Sequence, residues 1–189
     1  MIDIWKSGAE PQGKWGGRGK EQFSLPHLIE EVDFRAMQDS VSNHLVGKRQ
    51  SKQLTYFELL FGAPKTVSIM WALSEKNRST IEEIQEGAVR AAMSYLEEDL
   101  KKASLFALFE HGSDQYKNPD LHTHVLLFNL HGMNLSELDD LLPTVYALYR
   151  ADLSAGLIKI LGLKIVRDGD SFKVDGVPDH VVAVFSKQQ

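Results

Sequence analysis

The segment Leu121-His122-Thr123-His124-Val125-Leu126-Leu127-Phe128 leaves a chain like this the fewest folds to choose from. It is an apolar run interrupted by His-Thr-His, and it follows a polar stretch from Gly112 to Asp120, so it reads as a strand from Leu121 to Leu130. Side chains alternate between the faces of a strand, which sends His122 and His124 out from the same face. The segment before the polar stretch, residues 104–110 (Ser-Leu-Phe-Ala-Leu-Phe-Glu), reads as a second strand that ends at His111. A hairpin connection returns His111 to the side of the pair. Three neutral imidazoles around one ion leave coordination positions open, as a catalytic rather than a structural site requires. A cation held in this way polarises a phosphoryl oxygen and stabilises charge that builds in a transition state. Asp120 stands next to the cluster and could orient one imidazole from behind. The plainer alternative is a pair of ordinary strand histidines, because His-x-His is common. The third histidine, at the end of the adjoining strand, brings metal binding level with it. His27, His44, His131 and His180 have no such spacing and read as surface or capping residues.

The rest of the chain supplies helices and further strands. From Pro26 to about Gly47 the apolar positions Leu28, Ile29, Val32, Met37, Val41 and Leu45 fit helical spacing. Residues 54–61 look like a strand that ends at Gly62, with Pro64 suited to the first turn of the next helix. Ser79 or Thr80, three residues before Glu82 or Glu83, makes a capping box for a helix that runs to about Lys102. Ser136 caps a helix expected at about 137–161, with a kink at Pro143. Asp168-Gly169-Asp170 marks a hairpin turn, and Pro178 opens a last helical turn. Residues 1–25 are glycine-rich and basic, and the stretch from Trp15 to Lys20 reads as loop. The order of elements gives an α+β domain with a largely antiparallel sheet.

Composition narrows the class. A length of 189 residues suits one domain with a substantial core. No apolar run approaches a membrane span, and residues 1–20 carry Asp3, Lys6, Glu10, Lys14 and Arg18 where a signal segment would be apolar. There is no cysteine, hence no disulfide framework and no thiol nucleophile, and a cytoplasmic location is expected. The net charge of −5 argues against a general grip on duplex nucleic acid. It leaves room for an enzyme that holds a short single strand around a cation, which would supply part of the positive charge.

At Asn118-Pro119-Asp120-Leu121-His122-Thr123-His124-Val125 the chain resembles the Pro-x-Leu-His-Thr-His motif of the TrwC/TraI-type (MobF) conjugative relaxases, of the HUH endonuclease superfamily. In that family the third histidine lies eleven residues before the pair in a Phe-x-His context, and Phe109-Glu110-His111 stands at that spacing here. Residues 57–68 (Phe-Glu-Leu-Leu-Phe-Gly-Ala-Pro-Lys-Thr-Val-Ser) are similar to its Leu-Asp-Leu-Thr-Phe-Ser-Ala-Pro-Lys-Ser-Val-Ser segment. Trp15-Gly16-Gly17-Arg18-Gly19 resembles its Trp-x-Gly-x-Gly loop. Leu148-Tyr149-Arg150-Ala151-Asp152-Leu153, Gly176-Val177-Pro178 and Phe185-Ser186-Lys187 match its closing helix and tail. The likeness covers nearly the whole chain, so residues 1–189 are expected to form one relaxase-like domain with no helicase domain.

The resemblance implies a five-stranded antiparallel, palm-like sheet with helices packed mainly on one face. It implies one divalent metal ion (magnesium, manganese or zinc) on the other face, with His111, His122 and His124 as ligands. The partner it implies is single-stranded or hairpin DNA at a transfer origin, together with other relaxosome proteins and with no membrane. A tyrosine of the family attacks the scissile phosphate, leaving a 5′-phosphotyrosyl linkage and a free 3′-hydroxyl, and the reaction reverses to rejoin the strand. Glu58 takes the place of a family aspartate that assists the tyrosine or orients a metal histidine. Arg18 and Lys20 in the glycine loop and Lys65 near a helix start are the candidates to meet phosphate. A merely flexible loop and a solvated lysine are the alternatives.

The sequence also departs from the pattern. The family's nucleophilic tyrosines are paired and lie upstream of the Trp-x-Gly-x-Gly loop. Counting back from Trp15 puts the later pair at Trp5-Lys6, and the earlier pair and the first family strand before Met1. Either the sequence starts late, or the domain keeps the metal site and has lost its nucleophile. Tyr116 reads as a solvent-facing loop residue, and Tyr56, Tyr95, Tyr146 and Tyr149 fall in regular elements. The family's Ser-Arg after the first histidine is Asp114-Gln115 here. Three functions follow: relaxase-type strand transfer, a non-catalytic DNA-binding or regulatory remnant, or a metal-dependent phosphodiester hydrolase that uses water.

Overall fold

Phe106–Ser113 and Pro119–Phe128 form the two central strands of a four-stranded sheet. The computed structural model describes residues 12–47, 55–130 and 135–186. In chain order the elements are β1 (Lys14–Gly16), α1 (Gly19–Gln22), α2 (Glu31–Gly47), β2 (Tyr56–Gly62), α3 (Lys65–Leu73), α4 (Arg78–Asp99), β3 (Phe106–Ser113), β4 (Pro119–Phe128), α5 (Leu135–Asp139), α6 (Leu142–Leu161), β5 (Ile165–Asp168), β6 (Ser171–Val174) and α7 (Asp179–Phe185). The sheet has the order β1-β3-β4-β2, and β5 and β6 make a separate antiparallel hairpin. This is the expected α+β class, with four strands in the main sheet among the described residues where five were expected. Trp5 and His131 lie outside the described residues, as does the side chain of His44.

Local chemistry explains most differences from the sequence-based expectation. Trp15 is in a short strand rather than a loop, because Lys14, Trp15 and Gly16 pair with Leu108, Ala107 and Phe106. The segment before α2 is drawn to the same strand: Trp15 N donates to His27 O and Ile29 N to Gly13 O. Leu28 bridges Lys14, so residues 27–29 stay out of the helix, which starts at Glu31 instead of Pro26. Pro143 is the second residue of α6, a position where a missing N–H costs little, so it starts a helix and does not kink one. Leu135–Asp139 is a separate short helix. Gly169 lies between β5 and β6 with φ 59°, a conformation that favours glycine at the tight turn.

Clustering of the backbone divides the chain into two compact units. The first is Met1–Leu60, Met93–Glu110 and His124–Val145. Its core holds Trp15, Phe34, Met37, Val41, Leu105, Ala107, Phe109, Leu126 and Phe128. Trp15 lies 6.1 Å from Phe34 and 5.8 Å from Phe128 between ring centroids, and Phe34 meets Phe109 edge-on. Burying each of these large rings contributes roughly 1.5–3 kcal/mol. Ala107 and Phe109 share one face of β3, with Leu105 just before it, as Leu126 and Phe128 share one face of β4, so α2 covers the face that those residues share.

The second unit is Phe61–Ala92, His111–Thr123 and Tyr146–Gln189. Here the buried Gln85 of α4 donates to Phe61 O at 3.0 Å and to Thr123 Oγ1 at 3.4 Å, and accepts from Tyr149 Oη of α6 at 2.7 Å. Phe61 also packs tilted against Tyr146 and edge-on against Tyr149, each at 5.2 Å between ring centroids. Thr123 points toward α4, so its neighbours His122 and His124 point to the other face. Thr66 Oγ1 of α3 accepts from Val174 N, which ties the β5–β6 hairpin to the same unit. Replacing Gln85 by leucine keeps the volume but removes the acceptor of the Tyr149 hydroxyl and the donor to Phe61 O. We expect Gln85→Leu to lower unfolding free energy by about 2 kcal/mol in urea titrations, with a smaller loss for Tyr149→Phe.

Candidate metal centre

The histidines owe their arrangement to the hydrogen bonds of the sheet. Phe128 N donates to Leu105 O, and counting along antiparallel strands from that pair sets His122 opposite His111. The two rings lie 5.3 Å apart with planes 20° from parallel. His111 falls inside β3 rather than at its end, because the strand runs on to Ser113. The turn that follows is closed by Asp114, whose carboxylate accepts from Tyr116 N and Asn118 N at 2.9 Å each and from Asn118 Nδ2 at 3.1 Å. Partial desolvation pushes the Asp114 carboxyl upward, but these hydrogen bonds outweigh it and hold the group below the ordinary aspartate range. The position where the family has Ser-Arg thus serves the turn in this chain.

His111, His122 and His124 each offer a ring nitrogen within 4.8 Å of the other two, and all three are half-buried. Two of the rings are oriented by acceptors behind them. His122 Nδ1 lies 2.7 Å from Asp120 O, and since a carbonyl only accepts, Nδ1 carries the proton. The Asp120 carboxylate is farther, at 3.5 Å. His124 Nδ1 lies 2.6 Å from Glu58 Oε1, and an ionised carboxylate again accepts from Nδ1–H. With the proton on Nδ1, the lone pair of each ring is on Nε2, which is the tautomer that metal-ligating histidines adopt. Chemistry and geometry therefore both fit a divalent cation of the kind that takes imidazole nitrogen.

The strand that presents His122 is gripped by α3. Lys65 Nζ donates to Pro119 O at 2.8 Å, and Leu121 N donates to the buried Ser68 Oγ at 3.0 Å. Both partners come from the Ala63-Pro64-Lys65 to Ser68 segment, which the sequence marks as a motif without showing what it holds. Lys65, expected to meet phosphate, is spent at least partly on this contact. Arg18 has a similar attachment: its backbone N donates to Glu97 Oε1 at 2.9 Å, and its Nε lies 3.3 Å from Glu97 Oε2. Glu97 is buried and also accepts from Ser104 N at 2.6 Å. Gly17 has φ 85°, and a Cβ there would overlap the Ser104 carbonyl, so the glycines let the loop close on the protein itself. The Arg18 side chain is still 59% exposed, and Lys20 is half-buried. The carbonyl of Asp120 and the hydroxyl of Ser68 are the site partners that pattern alone misses, because neither acts through a recognisable spacing.

Comparison with known proteins bears on this geometry. A model of the TrwC relaxase family matches residues 3–189. The multifunctional conjugation protein TraI of Escherichia coli is 26% identical over 143 residues, which cover 62% of this chain and 8% of TraI; TraI of strain K12 matches to the same extent. The chain thus spans under a tenth of the length of these relatives. Among solved structures, the metal-bound conjugative relaxase TrwC in complex with oriT DNA superposes with a TM-score of 0.80 at 22% identity, covering 97% of this chain and 74% of TrwC. The metal-free complex gives 0.78 at 20% identity, covering 93% and 71%. At such identity the likeness shows a shared fold. Removing the acceptor behind His124 tests the metal geometry directly. Glu58→Ala is expected to weaken divalent-metal binding about 10- to 100-fold in calorimetric titration, with the melting temperature of the metal-free chain little changed.

Proposed function

From the premise that this chain belongs to the TrwC relaxase family, shown by the match over residues 3–189, we propose that it binds a single DNA strand at a transfer origin and presents a phosphodiester to a cation held by His111, His122 and His124. The observation that carries this reading is the convergence of three imidazoles, two of them with Nδ1 engaged by Glu58 and Asp120. A divalent cation bound there supplies a Lewis acid to a non-bridging phosphate oxygen. Glu58 keeps the His124 ring in its productive tautomer and places a negative charge behind it. Asp120 O does the same for His122 without adding charge. Arg18, Lys20 and Lys65 are the cations proposed to meet the DNA backbone. Arg18 is the most exposed of them, and Lys65 would have to exchange its Pro119 acceptor.

In this reading a tyrosine is the nucleophile, as in the family. The five tyrosines of this sequence include no Tyr-Tyr pair. Tyr116 is exposed on the β3–β4 turn, Tyr149 is buried, and Tyr56 packs against Phe128 at 6.0 Å. None of these placements recommends itself for attack. The neighbours in solved complexes with oriT DNA support a DNA partner. Among the described residues, no helix is long and apolar enough to cross a membrane.

The test uses fluorescent oligonucleotides that carry a hairpin followed by a single-stranded tail, titrated with the full chain. Tail binding is expected to tighten several-fold with manganese(II), roughly the effect of one added charge-assisted contact, and His122→Ala is expected to remove that gain. Binding that is the same with and without manganese(II) and in His122→Ala would leave only a DNA-binding remnant. A denaturing gel separates the remaining outcomes: a covalent protein–DNA band identifies a tyrosine, and metal-dependent cleavage without one puts water in its place.

A further inference from the structure

Gly112 follows the metal-site residue His111 in β3 and faces the opposite side of the strand. Its backbone is not in the left-handed region, so the reason for glycine is space. A Cβ built there overlaps Cη2 of Trp71 and stands 2.8 Å from Cζ2 and Cζ3 of the same ring. The indole edge therefore rests directly on the strand backbone beside His111. A flexible side chain would yield to an added methyl, but this ring is held. Trp71 Nε1 donates to Glu82 Oε1 at 2.8 Å, and the Arg78 guanidinium lies 5.4 Å from the ring centroid. Arg78 is itself fixed, donating from Nη2 to Ala72 O at 3.0 Å and from Nε to Trp71 O at 3.4 Å.

We propose that Trp71, braced by Glu82 and Arg78 and seated on Gly112, is a positioning residue that sets where β3 presents His111. The proposal rests on the histidine metal site and adds to it a support on the far face of the strand. His111 and Gly112 share a peptide unit, so any displacement of the Gly112 Cα is passed to the His111 ring. That ring stacks on His122 at 5.3 Å, and a ligand set tolerates only about 0.5 Å of misplacement. Trp71 touches neither the cation nor DNA in this role. It acts through the strand.

Zinc(II) titration of the full chain, with circular dichroism and the visible spectrum of the cobalt(II)-loaded protein alongside, tests it. Gly112→Ala is expected to weaken zinc binding about 10-fold and to shift the cobalt band while the protein stays folded. Trp71→Leu removes the overlapping ring edge and is expected to cause a smaller loss. The double variant should then behave like Trp71→Leu alone, because the added methyl no longer meets a ring. Unchanged affinity and spectrum in Gly112→Ala, or strictly additive losses in the double variant, would overturn the proposal. Should Gly112→Ala fail to fold, Glu82→Ala releases the indole without adding an atom, and unchanged zinc binding and cobalt spectrum there would overturn it equally. His122→Ala separates the two levels. Parent-like zinc binding by that variant sinks the histidine site itself, whereas loss there with none in Gly112→Ala sinks only the role of Trp71.

Discussion

The register between β3 and β4 is the constraint on which the site depends. Phe128 paired with Leu105 places His122 opposite His111, and strand alternation then brings His124 to the same face. A slip of one residue would turn every side chain of one strand to the other face, separating the histidines and exposing Leu126 and Phe128. What opposes the slip is the apolar packing of that same face. Trp15 and Phe34 lie against Phe128, and Phe34 also meets Phe109. The aromatic core and the polar site are thus consecutive stretches of the same strand faces, and burial of the first specifies the second.

Around that register the polar groups divide their work. Asp120 O and the Glu58 carboxylate each accept from an Nδ1–H, which settles the tautomer of two imidazoles. Counting from Ala63 N to Leu121 O and from Asn129 N to Thr55 O puts Glu58 opposite Leu126, so it reaches His124 diagonally across the pair of strands. Lys65 and Ser68 hold the start of β4 from α3. The glycine loop near Arg18 closes over Ser104 and Glu97 and is a structural joint first. For a chain of net charge −5, a cation among the histidines would be a local concentration of positive charge.

The sequence by itself determined the strand character of the histidine segment, the common face of His122 and His124, the α+β class and the relaxase family likeness. Each of these is written in local periodicity or in the order of short motifs, which survive without knowledge of distant contacts. Glu58 was legible only through the likeness of its segment to the family's, since strand alternation leaves it exposed, on the face opposite buried Phe57 and Leu59. Only the tertiary structure decided which atoms meet. It extended β3 past His111, drew residues 27–29 out of the helical pattern to pair near β1, and gave the Asp120 carbonyl rather than its carboxylate the closer hold on His122. It also attached Arg18 and Lys65 to protein acceptors and laid Trp71 on Gly112. These outcomes depend on hydrogen bonds and overlaps between residues far apart in the chain, where the gain of satisfying a distant carbonyl or filling a gap outweighs local preference. No spacing along the chain encodes them.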